Sequence, residues 1–181
     1  MASEAIRYRT RRMLADALME VMRGKQLDEI TIADIVRTCG VSRKAFYYHF
    51  EDIYDLANWV LQEEWKEMRP ASNEELITLL QAMIDSIQQN QSFCLSIMNS
   101  SQKYRIENLF MDLITDTISH QLGELESYKC RSQGEITLGS KCCCIAVVAL
   151  LGKWLTGELK CTNSELVYYM KETITPLSDI L

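Results

Sequence analysis

The sequence predicts an all-α fold, a three-helix helix-turn-helix head fused to a helical body. Three observations carry this. Only two prolines and seven glycines occur in 181 residues. Apolar residues recur at three- and four-residue intervals rather than in alternation, which is the helical period. A glycine also separates two short amphipathic segments near residue 40 in the manner of a helix-turn-helix.

The first helix is expected over residues 5–23. Leu14, Leu18, Val21 and Met22 form one stripe, Arg7, Arg9, Arg11 and Arg12 crowd the first turns, and Gly24 ends the pattern. These arginines suit either a mobile basic arm following a phosphate backbone or a solvated helix start. Thr31 is placed to cap a second helix, with Asp34 three residues on as a capping-box partner. Gly40 follows Cys39 where a left-handed residue ends a helix, Val41 is the apolar turn residue, and Ser42 caps the next helix, Arg43 to His49. Asp52 caps a longer helix to about Met68, with Ile53, Leu56, Ala57, Val60 and Leu61 inward and Pro70 and Ser72 breaking it.

Beyond these, helices are expected over Glu74 to Gln88, with Leu76, Leu80, Met83 and Ile87 inward, and over Arg105 to Glu126, with a broken connection at 90–102. A polar stretch, Ser127 to Gly134, precedes a helix over 139–158 that is apolar nearly all round. The last helix opens at the capping box Thr162-Asn163-Ser164-Glu165 and is closed by Pro176. The domains read as 1–50 for the head and 51–181 for the body.

Charge is divided between them. Residues 1–50 hold nine Lys/Arg against six Asp/Glu, a net of +3, and residues 51–181 hold ten against nineteen, a net of −9. A basic head meets what phosphate binding requires, although the whole chain is acidic at −6. Seven cysteines and an N-terminus without an apolar signal segment point to a reducing, cytoplasmic setting. The longest unbroken apolar run, Cys142 to Leu151, is about half what a bilayer requires, so no membrane segment is expected.

The chemistry concentrates on residues 43–49. Ala45 and Phe46 can face the first two helices, which leaves Arg43, Lys44, Tyr47, Tyr48 and His49 projecting together. Arg and Lys read guanine edges or neutralise phosphate, and Tyr and His donate to phosphate oxygens. The same tyrosines could instead pack inward with only their hydroxyls wet. No glycine-rich phosphate loop, nucleophile elbow or metal-ligand spacing is present, so the chain reads as no enzyme, with no cofactor and no metal. Cys142, Cys143 and Cys144 point about 100° apart on a helix and cannot converge on one ion. They read as small buried hydrophobes, with a thiol sensor as the alternative.

The run Thr31-IADIVRTCGVSRKAFYYHF-Phe50, followed by Glu51-Asp52, resembles the tetracycline-repressor-like (TetR/AcrR) family signature over residues 7 to about 61. That resemblance implies a cytoplasmic, dimeric regulator, typically a repressor, that binds double-stranded DNA at a palindromic operator. Arg43, Lys44 and Tyr48 match base-reading positions, and Thr31, Ser42, Tyr47 and His49 match phosphate-facing ones. The last two helices are implied to form the homodimer, through residues 139–178. An effector, small molecule or protein, is implied in the body, where Phe93, Met98, Tyr104, Phe110 and Trp154 line a pocket or serve as plain core. Family members commonly carry a lysine where this chain reads Glu51-Asp52-Ile53, and acid there repels phosphate. The stretch Tyr54-Asp55-Leu56-x-x-Trp59 is also similar to regulators linked to dihydroxyacetone-kinase operons, which admits a protein partner as the source of the signal. The alternative is a protein-interaction module that binds DNA weakly or not at all.

Overall fold

The computed structural model describes residues 2–68, 76–124 and 132–180. The breakers Pro70 and Ser72, the helix start at Glu74, the helix end at Leu125–Glu126 and the polar residues 127–131, Cys130 among them, lie outside the described residues. In chain order the elements are α1 (Ala2–Met22), a 3-10 turn (Leu27–Glu29), α2 (Ile32–Cys39), α3 (Arg43–His49), α4 (Ile53–Met68), α5 (Leu76–Gln89), α6 (Gln91–Met98), α7 (Lys103–Glu124), α8 (Gln133–Leu155) and α9 (Asn163–Ile180). There is no strand among the described residues. The all-α expectation holds.

Two compact units result, one of residues 1–67 with 92–103 and the other of residues 68–91 with 104–181. The first unit therefore extends past residue 50 and takes in α4 and α6. The cause is apolar: Leu56, Ala57, Trp59, Val60 and Leu61 of α4 are buried, as are Phe93, Cys94 and Ile97 of α6, beside Leu14, Leu18, Leu27, Ile35, Phe46 and Phe50. Polar bonds tie α6 to the 3-10 turn. The Leu27 N–H donates to the buried Ser96 Oγ at 2.8 Å, and Asp28 accepts from the Ser101 N–H (2.8 Å) and the Tyr54 hydroxyl (2.9 Å). These donors hold the Asp28 carboxyl below the usual carboxylate range, the Ser101 N–H most of all.

The expected break at 90–102 is thus corrected to a short helix. Eight residues are too few to be stable alone, and their burial in the first unit supplies what local propensity does not. Three boundaries also move. α8 begins at Gln133 because Ser132 and Glu135 form a reciprocal capping box, the Ser132 N–H donating to Glu135 at 2.7 Å and the Glu135 N–H to Ser132 Oγ at 3.3 Å. α8 ends at Leu155, where Gly157 takes a left-handed φ of 78° and Leu159 N–H donates to Lys153 O at 2.9 Å. Pro176 does not close α9, which runs on to Ile180.

The second unit buries Leu80, Met83, Ile84 and Ile87 of α5, Ile114, Ile118 and Leu122 of α7, Cys143, Cys144, Val147 and Leu151 of α8, and Leu166, Met170 and Ile174 of α9. Thr162 and Glu165 make the expected capping box at α9, at 2.7 and 3.3 Å. Gln88 and Asn163 exchange amide bonds at 3.0 and 2.9 Å, pinning α5 to the start of α9.

Candidate nucleic-acid interface

Residues 31–50 fold as the sequence predicts, each boundary with a local cause. The Thr31 hydroxyl oxygen accepts from the Asp34 N–H at 3.2 Å, and Asp34 accepts from the Thr31 N–H at 3.0 Å, which closes the capping box of α2. Asp34 also draws in the Thr31 hydroxyl, Lys25 and Arg37, at 2.8, 3.0 and 2.7 Å, and the Thr31 bond does most to hold its carboxyl far below the usual range. Gly40 adopts φ 71°, the left-handed conformation that turns the chain without a Cβ clash. Ser42 Oγ accepts from the Ala45 N–H at 3.1 Å and starts α3. Asp52 Oδ1 accepts from the Asp55 N–H at 2.6 Å, so the acid at the start of α4 is a cap.

This frame decides which face of α3 is presented. Phe46 is fully buried and Ala45 half-buried, while Arg43 and Lys44 are exposed. Tyr47 is 55% and Tyr48 68% exposed, so these rings do not pack inward with wet hydroxyls. His49 is only half-buried at the edge of the patch, its ring 4.9 Å from that of Tyr48, and its Nδ1 is buried without a hydrogen-bond partner. Burial foremost, then the charges of Arg11 and Arg7, push its pKa below the ordinary histidine value. Thr31 and Ser42 are exposed, with their oxygens engaged in capping.

The N-terminal arginines belong to α1 from its first turns, and they divide by depth. Arg7 and Arg9 are exposed, and the Arg7 guanidinium lies 5.8 Å from the Tyr48 ring centroid. Arg11 is half-buried against the rings of Phe50 and Trp59, an arrangement that sequence reasoning missed. Its signal was present as Tyr8 and Arg11 on one helical face, opposite the aromatic positions Phe50 and Trp59.

The five residues named for an effector pocket are divided between the units. Phe93 is buried and Met98 half-buried in the first; Tyr104 is exposed, and Phe110 and Trp154 half-buried, in the second. The cysteines of α8 diverge as helical geometry requires, and the expectation of small buried hydrophobes is corrected at Cys142, which that divergence leaves exposed while Cys143 and Cys144 are buried. Burial pushes the Cys143 thiol up to about 11 and, in α6, the Cys94 thiol up to about 12, which disfavours the reactive thiolate at both.

α8 is long and apolar enough to cross a membrane by length and composition, where the unbroken apolar run alone falls short, and 33% of its most apolar stretch is buried within the chain. Its outward residues include Leu138, Cys142, Ile145 and Ala149, spaced four, three and four apart, with Leu138 64% and Ile145 58% exposed. Tyr168 and Tyr169 of α9 are exposed as well.

Comparison with known proteins gives concordant results for both parts. Residues 14–59 match the family described as bacterial regulatory proteins, tetR family, and residues 74–176 match that described as transcriptional regulator C-terminal region. The HTH-type dhaKLM operon transcriptional activator DhaS of Lactococcus lactis subsp. lactis (strain IL1403) is 25% identical over 59 residues, 33% of this chain, so the match spans 32% of that relative's length. A solved structure described as dihydroxyacetone kinase operon activator DhaS superposes with a TM-score of 0.69 at 17% identity, over 95% of this chain and 97% of that one. The full-length tetR regulator tylp from Streptomyces fradiae is more distant, with a TM-score of 0.47 at 18% identity over 95% of this chain and 86% of that one. With the helix-turn-helix and more than half the chain behind it each matched, the chain belongs to the TetR family of transcriptional regulators.

Proposed function

We propose that this regulator binds a palindromic operator as a homodimer and that its activity is modulated through the helical body, with no catalytic step. One observation carries the reading: Arg43, Lys44, Tyr47 and Tyr48 stand exposed on one short helix that the Gly40 turn and the buried Phe46 hold in place. Two large exposed aromatic rings beside two cations are costly to leave in water and suit a major groove. Arg43, Lys44 and Tyr48 read base edges in this proposal, while Ser42, Tyr47 and His49 meet phosphates, as does Thr31 once its hydroxyl exchanges the bond it donates to Asp34.

Dimerisation through residues 139–178 is supported by the apolar stripe Cys142, Ile145 and Ala149, extended one turn earlier by Leu138, whose spacing is that of a helix seam. Because Glu51 and Asp52 flank the reading helix, each head alone is expected to bind weakly, and two joined heads gain by effective concentration. The effector is a small molecule or a protein acting on the body, with Tyr104, Phe110 and Trp154 of the second unit as the residues left for it, since Phe93 and Met98 belong to the first. The names of its relatives as operon activators make activation as open an outcome as repression.

Selection of duplexes by the full chain from a random pool at two salt concentrations, with Tyr48→Ala as control, tests the proposal. A palindrome enriched by the native chain and not by the variant is expected. No enrichment at low salt overturns the reading in favour of a protein-interaction module.

A further inference from the structure

Arg11 does not sit where a backbone-contacting arginine would. Its guanidinium carbon lies 4.9 Å from the Phe50 ring centroid and 4.8 Å from that of Trp59, both within cation–π range. Its Nε is buried without a hydrogen-bond partner. Phe50, 2% exposed, is the C-cap of α3 and donates its N–H to Phe46 O at 3.0 Å, whereas Trp59, 6% exposed, lies on α4. One flat cation on α1 thus touches both the end of the reading helix and the helix that follows it.

Two neighbours on α1 extend the contact. Arg7, one turn earlier, lies over the Tyr48 ring at 5.8 Å. Tyr8 packs edge-on against Trp59 at 5.9 Å and donates its hydroxyl to the buried Glu63 at 3.0 Å. Lys66 holds the Glu63 carboxyl below the usual range, with the Tyr8 bond adding to it.

An apolar side chain of equal length would fill the space around Arg11 without leaving an N–H orphaned, so packing alone does not account for arginine. Orientation does. The Phe50 and Trp59 rings meet edge-on, 6.0 Å apart at 61°, and the guanidinium lies over both from one side, where its broad planar cation faces two rings at once as a compact ammonium does not.

We propose that Arg11 is a positioning residue: through its stack on Phe50 and Trp59 it sets the angle of the last turn of α3, which carries Tyr47, Tyr48 and His49, without touching DNA. The proposal rests on the operator-binding reading above.

Arg11→Met and Arg11→Lys, in the full chain, are titrated with the selected duplex and a scrambled one across salt concentrations, alongside thermal melts. Arg11→Met is expected to bind the selected duplex about tenfold more weakly and the scrambled one unchanged, with the salt slope preserved. A slope lowered by about 0.9, with both duplexes weakened alike, marks a lost phosphate contact and overturns it. Unchanged affinity for the selected duplex, at any melting temperature, marks plain packing and also overturns it.

Arg11→Lys keeps the cation and the stem but not the plate, and decides the matter if Arg11→Met fails to fold. A several-fold loss is expected, and full affinity overturns the stacking argument. If the native chain selects no duplex, the operator reading fails by itself. Amide exchange at Phe46–Phe50 of the free protein then decides, with about tenfold faster exchange in Arg11→Met at unchanged melting temperature expected and equal rates overturning the proposal.

Discussion

Tyr48 and His49 are adjacent on α3 yet differ in what surrounds them, and the difference is testable. Tyr48 is 68% exposed and contributes little to the fold, so Tyr48→Ala should leave stability within about 0.5 kcal/mol of the native chain. It should weaken operator binding by about 1–3 kcal/mol if the ring meets a base edge, as paired melts and fluorescence titrations would read. His49 is half-buried with its pKa held below the ordinary value, chiefly by burial. In the window between that lowered pKa and the unfolded value of about 6.5, the unfolded chain binds more protons. Stability at this site is therefore fully present above about pH 7 and falls as pH drops through the window. Urea melts from neutral to mildly acidic pH should show this slope, and His49→Gln should flatten it; an unchanged slope in the variant refutes the assignment.

At the scale of elements, turns and caps determine which side chains are presented. Gly40 has φ 71° with open space around the position where a Cβ would stand, so Gly40→Ala meets backbone strain alone and should cost about 1–2 kcal/mol. Gly40→Asn should cost less, because asparagine tolerates the left-handed region; denaturant midpoints of the two variants check the order. Ser132 caps α8 outside the head, and Ser132→Ala should lower stability by about 1 kcal/mol with operator affinity unchanged once the protein is folded. The Thr31-x-x-Asp34 box and the lone Gly40 between two apolar segments are legible as residue types, whereas Ser132-x-x-Glu135 goes unread inside a polar stretch, with the helix expected only from 139. α6 has no such signature. Its eight residues become a helix because Phe93, Cys94 and Ile97 find apolar cover and Ser96 accepts the Leu27 N–H.

For the molecule as a whole, the open matter is how α8 is covered. Seven of its residues, Ser140, Cys143 and Val147 among them, are buried inside the chain, whereas Leu138, Cys142, Ile145 and Ala149 face outward. A second copy of the chain is the proposed cover. Ile145→Glu places a charge in that seam at a position already 58% exposed, so the monomer should keep its stability while losing its partner. Sedimentation should show half the native mass and a matching loss of operator binding; an unchanged mass with intact binding would place the dimer contact elsewhere.

What the sequence determined by itself is the content of short windows. The 3.6-residue period, the capping pairs and the Gly40 turn depend on residues within one or two helical turns of each other, so α1 to α4 and the exposed face of α3 could be read directly. Val21 and Ile53, expected inward, are only half-buried, because period alone does not reveal how deep a stripe sits. Contacts between residues far apart in the chain were decided by tertiary structure alone. Ser96 meets Leu27 across 69 positions and Asp28 meets Ser101 across 73, and these bonds accompany the burial that carries α6 into the head's unit. Arg11 changed most in meaning. In the sequence it is one of four arginines on a basic helix start, and in the fold it is a half-buried cation lying over both Phe50 and Trp59. A cation's role is set by which ring or phosphate lies across from it, and only the packed chain brings that partner into place.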